Sequence, residues 1–393
     1  MTNVKEEVIY DPYLPEKWPD PIPAYQTLLR EHPVYYLEKR DLWIISRYDD
    51  VMNALKDWKT FSSGAGGNTL EEAPERVGNT LGTTDPPKHD ILRMAIGGVF
   101  TPRYVKSLEG EMRTIVRELI DNFKEKRSFD ANGEFATLYT ARVVGKMIGV
   151  PEEDLKFFVK TVDAASSLTE EEKDNPENLK VMIRKMAAYC ERLVEKKMKN
   201  PSDDIISKLL EVEIDEKKMS VKEISMASVT LIGAAFQSTA MAIGCSLATI
   251  YKNKDQLAEV RSNPTLIPKM IEEALRYDGS TIGFKRTTTK EVELHGKTIP
   301  EGSRVFLLFG AANHDETFFP HSDQFDVHRK NNKHLGFGWG IHHCLGAPIA
   351  RLMMKIAYEE LLPVIGDFTI DFDRVEYMGQ PQFRGYRVLP VSF

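Results

Sequence analysis

The chain has 393 residues, 42% of them hydrophobic, 28% charged and 9% aromatic, which excludes a disordered, collagenous or coiled-coil chain and suffices to bury a large core without disulfide staples. With 52 basic against 59 acidic residues, the formal net charge is −7, which disfavours phosphate backbones and anionic lipid surfaces as partners. The three cysteines, Cys190, Cys245 and Cys344, are too widely spaced for a disulfide framework or a CxxC metal or redox site.

The first 20 residues mix charges with Pro12, Pro15 and Pro19 and lack the apolar core of a signal peptide, so a reducing, cytoplasmic setting is expected. Short apolar runs at 34–37 and 42–46 predict a peripheral hairpin, followed by a helix over 49–57. Residues 62–84, rich in glycine and without an apolar period, read as a long mobile loop of the kind that often covers a binding site. Asp85-Pro86-Pro87 and Thr101-Pro102 are helix starts. In the second helix Val105, Leu108, Met112, Ile115, Val116 and Leu119 recur at spacings of three and four. Further helices are predicted over 136–148, 152–166, 177–197, 204–212, 222–252, 256–261 and 266–277. Residues 224–251 carry no charge, long enough to cross a bilayer, but Gln237 and seven serines and threonines punctuate the stretch and no second apolar span follows. A helix buried in a large domain is the expectation, and no membrane. Strands are predicted at 284–288, 292–294 and 304–308, then an irregular segment to 333, a glycine-dense loop, a helix over 347–362 and terminal strands. The fold class is therefore mainly α with small β-sheets: one domain over 1–393, with a helical core at 85–278 and 347–362 and β-rich periphery near 34–46 and 284–308.

The sharpest local feature runs from Phe337 to Gly346, with glycines at 336, 338, 340 and 346 that admit positive φ and a close backbone approach to a flat ligand. Cys344 stands just before a helix start, which favours a thiolate, the form that binds metal. Nucleotide motifs fail here. Gly336-x-Gly338 would need glycine where Ile341 stands, and Gly296-Lys297-Thr298 would need one where Glu291 stands.

The loop resembles the haem-binding signature Phe-x-x-Gly-x-x-x-Cys-x-Gly of the cytochrome P450 family, with Cys344 in the place of the iron ligand and Phe337, Gly338 and Gly346 beside the haem. Glu273-Ala274-Leu275-Arg276 resembles the family's Glu-x-x-Arg, a pair that faces itself on a helix and serves structure. The resemblance implies a P450 fold with haem b between a long central helix and the helix after the cysteine loop. It places His89, Arg93, Arg286 and His342 at the haem propionates, and buried anions need such partners. On the central helix, Ala235 lies near haem, and Gln237 and Ser238 fall where the family has an acid and a threonine, followed by Thr239. Gln237 cannot relay a proton by ionising, though its amide and the Ser238 hydroxyl can hydrogen-bond a water chain. Leu81, Ala234, Thr281 and Phe284 and the region 155–168 are the expected pocket walls, which imply an apolar or aromatic substrate.

The activity implied is insertion of one oxygen atom from O2, as hydroxylation or oxidative O-demethylation. No flavin or iron–sulfur motif accompanies the domain, so electrons would come from a separate ferredoxin or flavodoxin-type donor. Of Lys88, Arg93, Arg103, Lys106, Arg351 and Lys355, those not occupied by propionate are candidates for its docking patch. Two alternatives stand beside this: a peroxide-using variant, suggested by Gln237 and Ser238, and a non-catalytic haem-binding protein.

Overall fold

A computed structural model describes residues 8–14, 17, 19–66, 77–157, 159–160, 176–214 and 217–393. The uncharged stretch forms the axis of the molecule, a single helix Val221–Lys252. Its start is fixed by a capping box in which the Glu223 amide donates to the Ser220 hydroxyl at 3.3 Å and the Ser220 amide donates to the Glu223 carboxylate at 2.8 Å. Although long and apolar enough to cross a membrane, it is largely buried among other helices. Helices Thr137–Ile148, Pro176–Lys199, Ile267–Tyr277 and Ala347–Ile365 pack on it from several sides, which explains why its apolar residues circle the axis instead of forming one stripe.

The hairpin and the strands expected at 284–288 and 304–308, predicted as separate pieces, are one sheet. Its strands run in the order Val34–Leu37, Leu42–Ile45, Arg304–Leu308, Gly283–Thr288 and Phe61–Ser62. The hairpin joins the C-terminal half by parallel pairing of Trp43 with Val305, a contact across some 260 residues that no local pattern announces. Phe61 pairs with Thr288, and Leu81–Thr83 forms a 3-10 turn held by a capping box between the buried Thr80 and Thr83. The glycine-rich loop is thus fastened at both ends; its middle, 67–76, lies outside the described residues.

Other expectations needed adjustment. The helix after Thr101-Pro102 is two helices, Pro102–Ser107 and Glu109–Asp121, meeting at Leu108. Val292–Leu294 pairs with a strand not foreseen, Lys297–Ile299, across a turn in which His295 and Gly296 both have positive φ. Gly296 therefore serves a hairpin, in agreement with discarding the phosphate-loop motif. Of the helix expected over 152–166, Glu152–Asp154 is a 3-10 turn, and 158 and 161–166 lie outside the described residues.

Candidate functional site

A cavity of about 480 Å³ lies between the central helix and the cysteine loop. The loop is shaped by backbone hydrogen bonds, Gly338 N–H to Leu335 O at 2.8 Å and Cys344 N–H to Phe337 O at 2.9 Å. Gly338 and Gly340 have φ of 64° and 70°, and a Cβ at Gly340 would stand 2.4 Å from the Leu55 carbonyl oxygen. Glycine at 340 is required on both counts.

Cys344 is the one exposed cysteine, and the surface it exposes faces the cavity, not bulk water. Burial pushes its thiol upward, against the backbone N–H groups of Gly346 and Ala347 and the charges of Arg351 and Arg93, which favour the thiolate. Desolvation and the helix terminus thus act in opposite directions on this thiol. Cys190 and Cys245 are buried in the core and pushed up to about 12 by desolvation, leaving Cys344 as the only cysteine placed for chemistry.

A cationic cluster sits beside the loop. Arg286 is buried, donates to the Lys285 carbonyl at 2.8 Å, and has no carboxylate within ion-pair distance among the described residues. Burial lowers its pKa to about 10. The His89 and His342 rings meet edge to face at 4.6 Å. The Nε2 atoms of both are buried without a hydrogen-bond partner, while His89 Nδ1 faces Asp90 at 2.9 Å. Burial, with Arg286, His89 and Arg93 nearby, lowers the pKa of His342 to about 2. Arg93 reaches the same loop, donating to the His343 carbonyl at 2.9 Å. Arg93, Arg286 and His342 line the cavity, and His89 stands behind His342.

The opposite wall is the central helix. Ala234, Ala235, Gln237, Ser238 and Thr239 all line the cavity, as do Leu81, Thr281, Phe284, Phe337, Gly338 and Gly346. Ser238 donates its hydroxyl to the Ala234 carbonyl one turn earlier, at 2.6 Å. Of the expected wall over 155–168, residues 158 and 161–168 lie outside the described residues.

Glu273 and Arg276 lie away from the cavity. They form a fully buried bidentate pair, Nε to Oε2 at 3.0 Å and Nη2 to Oε1 at 2.8 Å. Arg276 also donates to the carbonyls of Asn313, Ser322 and Gln324, and Glu273 accepts from Arg329 and Asn332. The pair therefore pins the irregular segment that leads into the cysteine loop. Sequence reasoning missed Arg329 and Asn332, and it missed Glu272. The last accepts from Arg351 at 2.7 and 2.8 Å and pairs with His334 at 3.1 Å, and Arg351 lies 4.3 Å over the Phe337 ring. Arg351 and Lys355, two of the basic residues set aside for donor docking, are thus already paired, Lys355 with Glu359 at 3.1 Å.

Comparison with known proteins agrees with this geometry. The sequence model of the family described as Cytochrome P450 matches residues 24–364. A putative cytochrome P450 YjiB of Bacillus subtilis is 32% identical, over 87% of this chain and 86% of its own length. Cytochrome P450 CYP107DY1 of Priestia megaterium is 30% identical over 99% and 100%. Among solved structures, the versatile cytochrome P450 enzyme CYP109B1 from Bacillus subtilis matches with a TM-score of 0.85 and 29% identity, covering 98% of this chain and 100% of that one. P450BioI, in complex with acyl carrier protein ligated to hexadec-9Z-enoic acid, gives 0.87 and 29% over 96% and 99%.

Proposed function

The chain belongs to the cytochrome P450 family of O2-dependent haem monooxygenases, and from that premise we propose that Cys344 ligates the iron of haem b while His89, Arg93, Arg286 and His342 hold its propionates. The residues present fit the group. Two buried imidazole nitrogens without partners and a buried guanidinium without a carboxylate are costly unless an anion completes them. A propionate is an anion of the right kind. That convergence of a buried guanidinium and unpartnered imidazole nitrogens beside a cavity-facing cysteine is the observation that carries the assignment.

Bound there, haem would supply the oxidising chemistry, with the thiolate pushing electron density toward iron and favouring oxygen to oxygen cleavage. The chain's own part is to orient substrate and exclude water. Leu81, Ala234 and Phe284 give the cavity an apolar wall, and Thr281 adds one hydroxyl. This favours a small apolar or aromatic substrate, taken by hydroxylation or oxidative O-demethylation. The relatives do not narrow that choice. One solved structure holds erythromycin B and another a hexadecenoic acyl group on its carrier. Opposite the cysteine loop, the Ser238 hydroxyl and the Gln237 amide can hydrogen-bond water without an ionising acid.

Electrons come from a separate ferredoxin or flavodoxin-type protein in this reading. Arg103 and Lys106 are exposed and make no ion pair within 4.0 Å among the described residues, which supports them as the core of its docking patch. Gln237 in the place of an acid favours a second reading, peroxide as oxidant. Holoenzyme screened with small aromatic ligands should show a spin-state shift. Product should then form faster from NAD(P)H with a ferredoxin system than from hydrogen peroxide. The reverse ratio selects the second reading, and no shift with any aromatic ligand removes the substrate class.

A further inference from the structure

Ser280 lies between the Glu-Arg helix and strand Gly283–Thr288, buried and on the cavity lining. Its hydroxyl donates to the backbone carbonyl of Ser238 at 2.9 Å, 42 residues back along the chain. Ser238 donates its own hydroxyl to the Ala234 carbonyl at 2.6 Å. Two successive carbonyls on the cavity face of the central helix, one turn apart, therefore carry side-chain donors in addition to their place in the helix. Such extra donors tilt carbonyls outward, so the geometry of this turn depends on where the donors are held, and the Ser280 bond ties it to the strand beyond.

Ser280 is held firmly. Asp278 forms a close ion pair with the buried Arg384 and accepts from the Thr249 hydroxyl. The Arg384 amide donates to the Ser280 carbonyl at 2.9 Å, the Ile282 amide donates to the Gln382 carbonyl at 2.8 Å, and Thr281 bridges to Phe383. At Gly279 a Cβ would come within 2.3 Å of the Leu275 carbonyl oxygen, so the turn before Ser280 packs closely on the helix end and requires glycine. A donor mounted this way acts on the helix as a fixed point; a surface serine would move with its target.

We propose that Ser280 is a positioning residue that sets the Gln237–Ser238 turn through the Ser238 carbonyl. The inference rests on the reading that this turn faces the haem. Because the hydroxyl protons of Ser238 and Ser280 are both spent on carbonyls, the two oxygens turn lone pairs to the cavity. Water there is accepted from, not donated to, and its orientation follows the turn that Ser280 fixes. This gives the distal wall a defined hydrogen-bonding direction without an ionisable side chain at 237.

Hydrogen exchange on the holoenzyme tests it. In Ser280→Ala the amides of 234–246 should exchange about fivefold faster, the worth of one neutral hydrogen bond, with the rest of the chain unchanged. The share of reducing equivalents released as hydrogen peroxide should rise as product per electron falls. Ser280→Thr, which keeps the hydroxyl, should restore both. Unaltered exchange and coupling in Ser280→Ala overturn the proposal, as does faster exchange spread over the whole molecule or a threonine variant that rescues neither. Exchange is read without reference to the iron ligand. A wild-type protein lacking a thiolate spectrum thus removes the Cys344 assignment, while the Ser280 contact stands or falls on its own measurement.

Discussion

Two buried charge clusters, one on the cavity and one away from it, are built in opposite ways. Around Glu273 every charge has partners: Arg276 and Arg329 on its carboxylate, carbonyls on the guanidinium, Asn332 and the Asp326 amide on the remaining lone pairs. Around Arg286 no carboxylate pairs with the guanidinium among the described residues, the one in contact with the cluster being Asp90 on His89 Nδ1, and two imidazole nitrogens have no partner. A cluster satisfied by its own chain is scaffold, because nothing from outside improves it. A cluster left incomplete by its own chain is one that an anion from outside would complete, the role proposed for the haem propionates.

The comparison breaks first where the scaffold is complete. Glu273→Ala leaves Arg276 and Arg329 without their carboxylate and should cost about 3–5 kcal/mol, read as loss of soluble holoenzyme and a lower urea midpoint. Near-normal stability would mean the pair is ornamental. Arg286→Leu should do the opposite to the apoprotein, leaving its thermal midpoint unchanged or raised, while haem leaves the holoenzyme about tenfold faster or more for want of a charge-assisted hydrogen bond. Equal haem retention would end the propionate assignment.

A smaller effect sharpens the boundary between the two. Burial alone would raise the pKa of Glu272, but hydrogen bonds from Arg351 and His334 win and bring it to about 2. A carboxylate depressed on folding stabilises above its unfolded value and loses that contribution as pH falls from about 4.5 toward 2. Glu272→Gln should therefore flatten the acid limb of the stability profile over that window and leave neutral-pH unfolding cooperative. An acid limb identical to wild type would show that the Arg351 link is not formed in solution.

Much of the site was legible because its chemistry is written in short spacings. Cys344 among four glycines, His89 and Arg93 four apart, and Glu273 and Arg276 three apart are local patterns, and the fold keeps each pair or loop in one element. What escaped depends on distance along the chain. Arg329 reaches Glu273 across 56 residues, Glu272 meets Arg351 across 79, and Ser280 meets Ser238 across 42. No period or motif encodes such meetings. The sheet repeats the lesson: strands Leu42–Ile45 and Arg304–Leu308 were each visible, their pairing was not. The opposing pull of burial on the Cys344 thiol escaped for a different reason. A helix terminus is a local feature read from sequence, whereas the depth of burial that opposes it is a property of the assembled fold.

The direct test of the account is the optical spectrum of the reduced holoprotein with carbon monoxide, taken for wild type and for Cys344→His. Thiolate ligation by Cys344 predicts the strongly red-shifted Soret band of a thiolate-bound carbonyl complex in the wild type and its replacement by an imidazole-type band in the variant. An imidazole-type band in the wild type, or a red-shifted band that survives the substitution, would contradict it.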